Sequence, residues 1–405
     1  MNAENLINIV LDIVPQYYRV DIGGGQTVTI TINGQNYYVN TFRRNTPQLN
    51  QLILAIEHSS DTLLNIATGS AILDQEIIEA KIVDFWLRIN GYQADWQSLF
   101  DYCRKLESRT YENSSIGFTF IIQPDATGDL CLLDGHEHKI LDVLAETHFT
   151  YFNVCPNWKY IDYNYVPWGK IEHITRYKLV PELVWPFKSI MNRGQCAVTR
   201  TKRGDIIIYD KGGLLAAYRK GNWKIYEASS LKNVVVDIIS WASSGVPYYI
   251  AANLFEICLD LSYRRHGALI IVDNNNRREQ CVTNPVSIIE AGRSPIRTAL
   301  SNRINEIHLG SPNYEKVHKP LVLELASIDG AIIIGPDGYL KAFGAIIGTH
   351  SHAVTETGAR STAALSAYYH GMRPIKISAD GEITFYHNHG NRNTGESQLA
   401  KISFL

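Results

Sequence analysis

Hydrophobic positions in this chain switch between two spacings, and each switch marks an element. A short amphipathic stretch, MNAENLINIVLDIVPQYY, leads into Val28, Ile30 and Ile32 set between polar residues. Asn33-Gly34 and the return Tyr37-Tyr38-Val39 complete the pattern of a β-hairpin. The spacing then lengthens to a helical one. Pro47 at a first helical position, followed by Leu49, Leu52, Ile53 and Ile56, predicts a helix, and Ile77, Ile78, Ile82, Phe85 and Trp86 predict another. Strand patterns return at 117–122, at Ala197-Val198, at 205–209, and across 212–223 as strand, turn, strand. Gly212-Gly213 is read as a turn and not as a phosphate cradle, because no helix and no Lys-Ser/Thr pair follows it.

Residues 240–245 break the rhythm, and Pro247 can open a helix carrying Phe255, Ile257, Leu259 and Leu261, so a domain boundary is expected after residue 246. Beyond it, strand is expected at 267–273, a polar loop at Asn274-Asn275-Asn276 and a helix from Pro295. A strand at 331–334, a helix after Gly358 and strands near 375–378 and 383–386 follow. The expected fold class is α/β. Residues 247–405 read as a mixed sheet flanked by helices, preceded by an α+β region over 1–246 that is one unit or two, split near 115. No internal repeat or low-complexity tract interrupts the chain.

Length and charge narrow the function classes. At 405 residues, two or three domains are expected, and 45% hydrophobic with 19% charged residues excludes a disordered or fibrous chain. The 38 Lys and Arg against 40 Asp and Glu leave a formal charge of −2, with no basic stripe and no helix-hairpin-helix glycine pattern, so neither nucleic acid nor an anionic membrane is an expected partner. Cysteines 103, 131, 155, 196, 258 and 281 form neither a CxxC nor a Cys/His cluster, which points to a reducing cytoplasm. The N-terminal stretch lacks a basic region and a small-residue cleavage site, and no window approaches about 18 apolar residues, so neither secretion nor a membrane span is expected.

Three loops of the C-terminal half carry candidate chemistry. In Ser327-Ile328-Asp329-Gly330-Ala331 an acidic residue stands at a strand edge, where it can ligate Mg²⁺ or accept a hydroxyl proton, and Gly330-Ala331 lets a ligand approach the backbone. In Gly358-Ala359-Arg360-Ser361-Thr362 a glycine and small hydroxyl residues precede an Ala-rich helix, a pattern suited to a phosphate chain or, more plainly, to a helix cap beside a solvated arginine. The third loop, Ser378-Ala379-Asp380-Gly381-Glu382, is a hairpin turn unless Ser378 or Asp380 faces the other two. Histidines gather in the same half, at His350, His352, His370, His387 and His389, and two HxH pairs on strands would each set both rings on one face for a metal.

In this order the pieces resemble the diadenylate cyclase family, the DAC or DisA_N domain, over about residues 247–390. Arg265-His266-Gly267-Ala268-Leu269-Ile270-Ile271-Val272 is similar to the family's early HGALIV strand, and Ile328-Asp329-Gly330-Ala331 with its apolar tail to its DGA motif. Phe343-Gly344-Ala345-Ile346-Ile347 stands where the family has the strand lining the adenine. Gly358-Ala359-Arg360 followed by Ala363-Ala364 resembles its GARHRAA phosphate loop, and Ser378 falls where its Ser-Glu-Glu segment begins.

The resemblance implies synthesis of cyclic di-AMP from two ATP by facing domains of a homo-oligomer, with Mg²⁺ or Mn²⁺. By match, Asp329 would take a metal and the 3′-hydroxyl. Gly330, Ala331, Gly344, Ala345 and Ile346 would line the nucleotide, and Gly358, Ala359, Arg360, Ser361 and Thr362 would contact phosphate. Two departures stand out. The family's Arg-His-Arg is Arg360-Ser361-Thr362 here, one cation and one imidazole fewer, and its Ser-Glu-Glu is Ser378-Ala379-Asp380, leaving Asp380 as the substitute metal ligand. Alternatives therefore stand beside the cyclase: a nucleotide-binding module without turnover that reports through a regulatory region at 1–246, or a nucleotidyltransferase with another product, its missing ligands replaced by His350 and His352.

Overall fold

The amphipathic N-terminal stretch forms α1 (Ala3–Ile13), whose Asn2 cap accepts the Asn5 N–H at 2.8 Å and whose Leu6, Ile9, Val10 and Ile13 turn inward. The protein is seen as a computed structural model that describes residues 1–14, 17–19, 26–41, 46–107, 110–111, 114–133, 149–167, 179–227, 232–233, 235–236, 239–240, 245–274, 276–284, 288, 304, 306–311, 314, 318–353, 358–390 and 397–404. Strands β1 (Tyr17–Arg19), β2 (Gln26–Ile32) and β3 (Gln35–Thr41) make a three-stranded antiparallel sheet in the order β1-β3-β2, with Asn33 and Gly34 both at positive φ in the expected hairpin turn. Helices α2 (Pro47–His58), capped by the Thr46 hydroxyl, α3 (Ser60–Leu64), α4 (Ala71–Ile89) and α5 (Trp96–Leu106) follow.

After a minimal hairpin of β4 (Thr110–Tyr111) and β5 (Ser114–Ser115) comes a seven-stranded mixed sheet. Its strands are β6 (Phe118–Ile122), β7 (Thr150–Val154), β8 (Tyr160–Tyr165), β9 (Cys196–Arg200), β10 (Ile206–Asp210), β11 (Leu214–Arg219) and β12 (Asn222–Ile225). They lie in the order β12-β11-β10-β9-β6-β7-β8, parallel at β6–β7 alone, with the short α6 (Trp185–Ile190) between β8 and β9. One hydrophobic core runs from Leu6 to Ile225, so helices and both larger sheets of this region share a single interior.

The chain divides into two units, Met1–Leu231 and Lys232–Leu405, whereas the sequence pattern put the division after residue 246. Packing ahead of Pro247 accounts for the difference. Lys232 stands over the Tyr248 ring at 5.6 Å, and the Tyr248 hydroxyl donates to Asn233 at 3.2 Å, which ties 232–233 to the second unit.

The second unit begins its regular structure with α7 (Tyr248–Arg264), following Pro247 as expected. Then come β13 (Ala268–Val272), the single turn α8 (Arg278–Cys281), α9 (Lys319–Ala326), β14 (Ala331–Ile334), β15 (Leu340–Ala345), α10 (Ala359–Tyr369), β16 (Arg373–Ile377), β17 (Ile383–Gly390) and β18 (Ser397–Phe404). The helix expected from Pro295 lies outside the described residues. The sheet runs β15-β14-β13-β16-β17-β18, parallel between β13 and β14 and antiparallel elsewhere, so this unit is the expected mixed sheet with helices on its faces.

Alternation decides what each face of that sheet meets. Leu269, Ile271, Ala331 and Ile333 pack against Ala364, Leu365 and Ala367 of α10. The intervening residues, Ile270, Val272, Ile332 and Ile334, are buried on the opposite face, which α7 and α9 cover. There Lys319, at the start of α9, forms ion pairs with Asp260 at 2.7 Å and Glu256 at 3.7 Å, one turn apart on α7. All six cysteines are free, and burial pushes the Cys103 thiol up to about 12. Among the described residues no helix is long and apolar enough to cross a membrane.

Candidate functional site

Where β14 begins and β15 and β16 end, beneath the start of α10, the sheet edge opens into a cavity of about 830 Å³. That volume is within the usual range for small-molecule sites. Its floor is Gly330 and Ala331. Gly330 has φ +105°, and a Cβ there would stand 2.6 Å from the Gly344 carbonyl carbon and 2.9 Å from the Ala345 nitrogen, so the two strands meet main chain to main chain. Ala345 and the 57%-exposed Ile346 form one wall. Asn284 holds that wall as a neighbouring strand would, its Nδ2 donating to the Gly344 carbonyl at 2.9 Å and its Oδ1 accepting the Ile346 N–H at 2.7 Å.

The opposite wall is the first turn of α10, from Gly358 to Thr362. Gly358 takes φ +111° with open space where a Cβ would stand, and among the described residues no side chain caps the helix. Ser361 and Thr362 direct their N–H groups to the Gly358 carbonyl, both at 3.1 Å, so the N–H groups of Ala359 and Arg360 are the ones left for a ligand. The positive end of the helix dipole favours an anion there. Arg360 lies against Gly267, where any Cβ would collide with its guanidinium; the glycine makes room for the charge. Across from it, Lys376 of β16 lines the cavity and donates to the Ser361 hydroxyl at 3.3 Å.

Asp329, Gly330, Ala331, Ala345, Ile346, Gly358, Ala359, Arg360, Ser361, Thr362 and Ser378 thus come together around one space. Their individual arrangements differ in part from the sequence pattern. The Thr362 hydroxyl turns back to the Gly358 carbonyl at 3.3 Å. Gly344 contributes through the strand behind the wall and does not itself line the cavity. Asp380 also lies off the lining, because the loop closes on itself: the Ser378 hydroxyl donates to the Asp380 carboxylate and accepts the Glu382 N–H at 3.0 Å. Among the described residues, Asp329 is left as the carboxylate of the lining.

His350 and His352 do not form the strand pair expected of them. His350 and His352 lie in a turn, with His350 stacked on Tyr369 at 5.4 Å and edge-on to His352 and His370 at 5.3 and 4.8 Å. His370 itself caps the end of α10. Desolvation and the adjoining His370 and His352 rings hold the His350 pKa below its usual value. His387 and His389 do lie on β17, but their side chains are outside the described set. Among the described residues no three His, Cys, Asp or Glu side chains are grouped to hold a metal. Of the described lining, Asp329 is the side chain that would hold a divalent ion.

Sequence reasoning missed Lys376, Asn284 and the part played by Gly267. For Lys376 a signal was present: a charged residue between Ile375 and Ile377 in a strand bounded by apolar positions. Gly267 stood inside a recognised strand motif with no side chain to suggest a role.

Residues 256–390 match the family model DAC, described as DisA bacterial checkpoint controller nucleotide-binding. Among solved structures, a hypothetical membrane spanning protein from Bacillus cereus is 20% identical, covering 44% of this chain and 76% of its own at a TM-score of 0.27. A double mutant of DacA from Staphylococcus aureus is 18% identical, covering 37% of this chain and 85% of its own at a TM-score of 0.23. No curated protein matches the chain. Over residues 256–390 the second unit therefore carries a nucleotide-binding domain of the DAC family.

Proposed function

We propose that this protein condenses two ATP molecules into cyclic di-AMP, with the N-terminal region, up to residue 246, regulating the reaction. The observation that carries this reading is the single cavity uniting Asp329, the glycine floor and the start of α10 with Arg360. In the proposed reaction each ribose 3′-oxygen attacks the α-phosphate of the other ATP, two pyrophosphates leave and two hydroxyl protons are released. One domain holds one ATP, so two domains of a homo-oligomer must face each other to bring the reacting atoms into line. Asp329 is placed by motif to orient the 3′-hydroxyl. The first turn of α10 and Arg360 hold the phosphates. Mg²⁺ or Mn²⁺ shared by Asp329 and the phosphates would offset charge on the transferring group. The ATP substrate and six free cysteines support a cytoplasmic location.

The test is incubation of the purified chain at high concentration with ATP and Mn²⁺ or Mg²⁺, read by mass-resolved chromatography. Cyclic di-AMP is expected from the native protein, and Asp329→Asn should lower its yield by about 100-fold or more. Absence of any dinucleotide with either metal refutes the cyclase reading. One observation favours a second reading, a nucleotide-binding module without turnover: Asp380 is engaged by Ser378 outside the cavity. ATP-dependent stabilisation of the fold without product would support it.

A further inference from the structure

We propose that Lys376 binds the phosphate chain of the nucleotide, supplying from the sheet a second positive charge facing the start of α10. The inference rests on the nucleotide reading above and adds a residue that neither the sequence motifs nor the family match assigns.

Strand register shows how unusual this lysine is. Lys376 pairs directly with Leu269 on β13 and with Thr384 on β17, and directly paired residues share a face. Leu269 and Thr384 are 2% and 3% exposed, so Lys376 rises from the covered face of an interior strand. Lys376 itself is half-buried where that face opens into the cavity, and a lysine so placed is commonly matched by a carboxylate. Among the described residues Lys376 has no carboxylate partner; its hydrogen bond goes to the neutral Ser361 hydroxyl. Arg360 likewise has no ion pair among them.

Among the described residues, two cations and one carboxylate, Asp329, therefore face the cavity beside a helix start that none of their side chains caps. That surplus is matched by a ligand bringing several negative charges, as a nucleoside di- or triphosphate does and a nucleoside does not. Ser361 has a definite part in this arrangement. By accepting from Lys376 it draws the ammonium toward the N–H groups of Ala359 and Arg360, so that one phosphate chain can meet all of them.

Calorimetric titration of the full chain with ATP, ADP, AMP and adenosine, at two salt concentrations, tests the assignment in the native protein, Lys376→Met and Lys376→Arg. Lys376→Met should bind ATP about 10- to 100-fold more weakly, lose most of the distinction between ATP and AMP, show a flatter salt dependence, and bind adenosine within twofold of the native protein. Lys376→Arg should restore most of the ATP affinity. Equal ATP binding by the native protein and Lys376→Met overturns the assignment while leaving the nucleotide reading intact. Equal loss of ATP and adenosine overturns it too, since that marks a structural role. If the native protein binds no ATP, both readings fall together. Should Lys376→Met fail to fold, Lys376→Gln, which keeps a hydrogen-bond donor without the charge, gives the same comparison.

Discussion

The two faces of the C-terminal sheet each involve a lysine, held in opposite ways. Lys319, 2% exposed, lies between Asp260 and Glu256 and is matched by carboxylates within the fold. Lys376 rises on the other face beside a neutral hydroxyl. A buried cation with its counter-charges built in ties α7 to α9 and is spoken for, whereas one set at a cavity without them is poised for an anion from outside. The contrast separates architecture from binding within one sheet, without reference to motif.

The largest effect should fall on the first face. Lys319→Met strands two carboxylates in the interior and should cost about 3–5 kcal/mol in denaturant unfolding of the C-terminal unit; a loss below about 1 kcal/mol would erase the distinction drawn between the lysines. Next comes the cavity floor. Gly330→Ala puts a Cβ against the Gly344 main chain at a positive φ and should cost about 1–3 kcal/mol, with nucleotide binding lost along with it, as read by unfolding and titration together. Lys376→Met should change the stability of the unliganded chain by less than about 1 kcal/mol, far less than Lys319→Met, because no ion pair is broken.

The smallest effect concerns Glu79 in the N-terminal unit, a buried carboxylate met by neutral groups: the Trp223 N–H and the Gln75 amide, each at 2.8 Å. Burial raises its pKa in the folded chain, so the native state keeps this proton to higher pH than the unfolded state does. Stability from this group is greatest in acid and declines as pH rises through the ordinary carboxylate range toward the raised pKa. Glu79→Gln should remove that slope, visible in thermal melts taken from pH 4 to 8.

Most strands and helices of the C-terminal unit were legible in sequence because runs such as 268–272 and 331–334 are continuously apolar and bounded by glycine or acidic residues. The order of the motif loops was legible too, since Gly330 and Gly358 each mark a backbone that bends where side chains cannot. What sequence spacing did not reveal was which residues face one another. Asp380 looked available as a ligand until its loop was seen to close through Ser378. Lys376 acquires meaning only from its cross-strand neighbours, and Asn284, sixty residues before Gly344, only from a pairing that no local pattern encodes. The unit division was displaced for a similar reason: Lys232 and Asn233 are recruited by Tyr248 across the stretch whose composition suggested a break.

Where Gly330 meets Gly344, the cavity floor is made of main chain alone. Such a floor is nearly closed to inheritance by small steps, since a single codon change at Gly330 intrudes on the neighbouring strand. The rim is different: Ser361, Thr362, Lys376 and Ser378 are side chains on a helix, a strand and a turn, each open to revision one at a time. A lineage built on this plan can keep its grip on one half of a ligand while its anion chemistry drifts, so descendants would diverge at the phosphates long before they diverge at the floor.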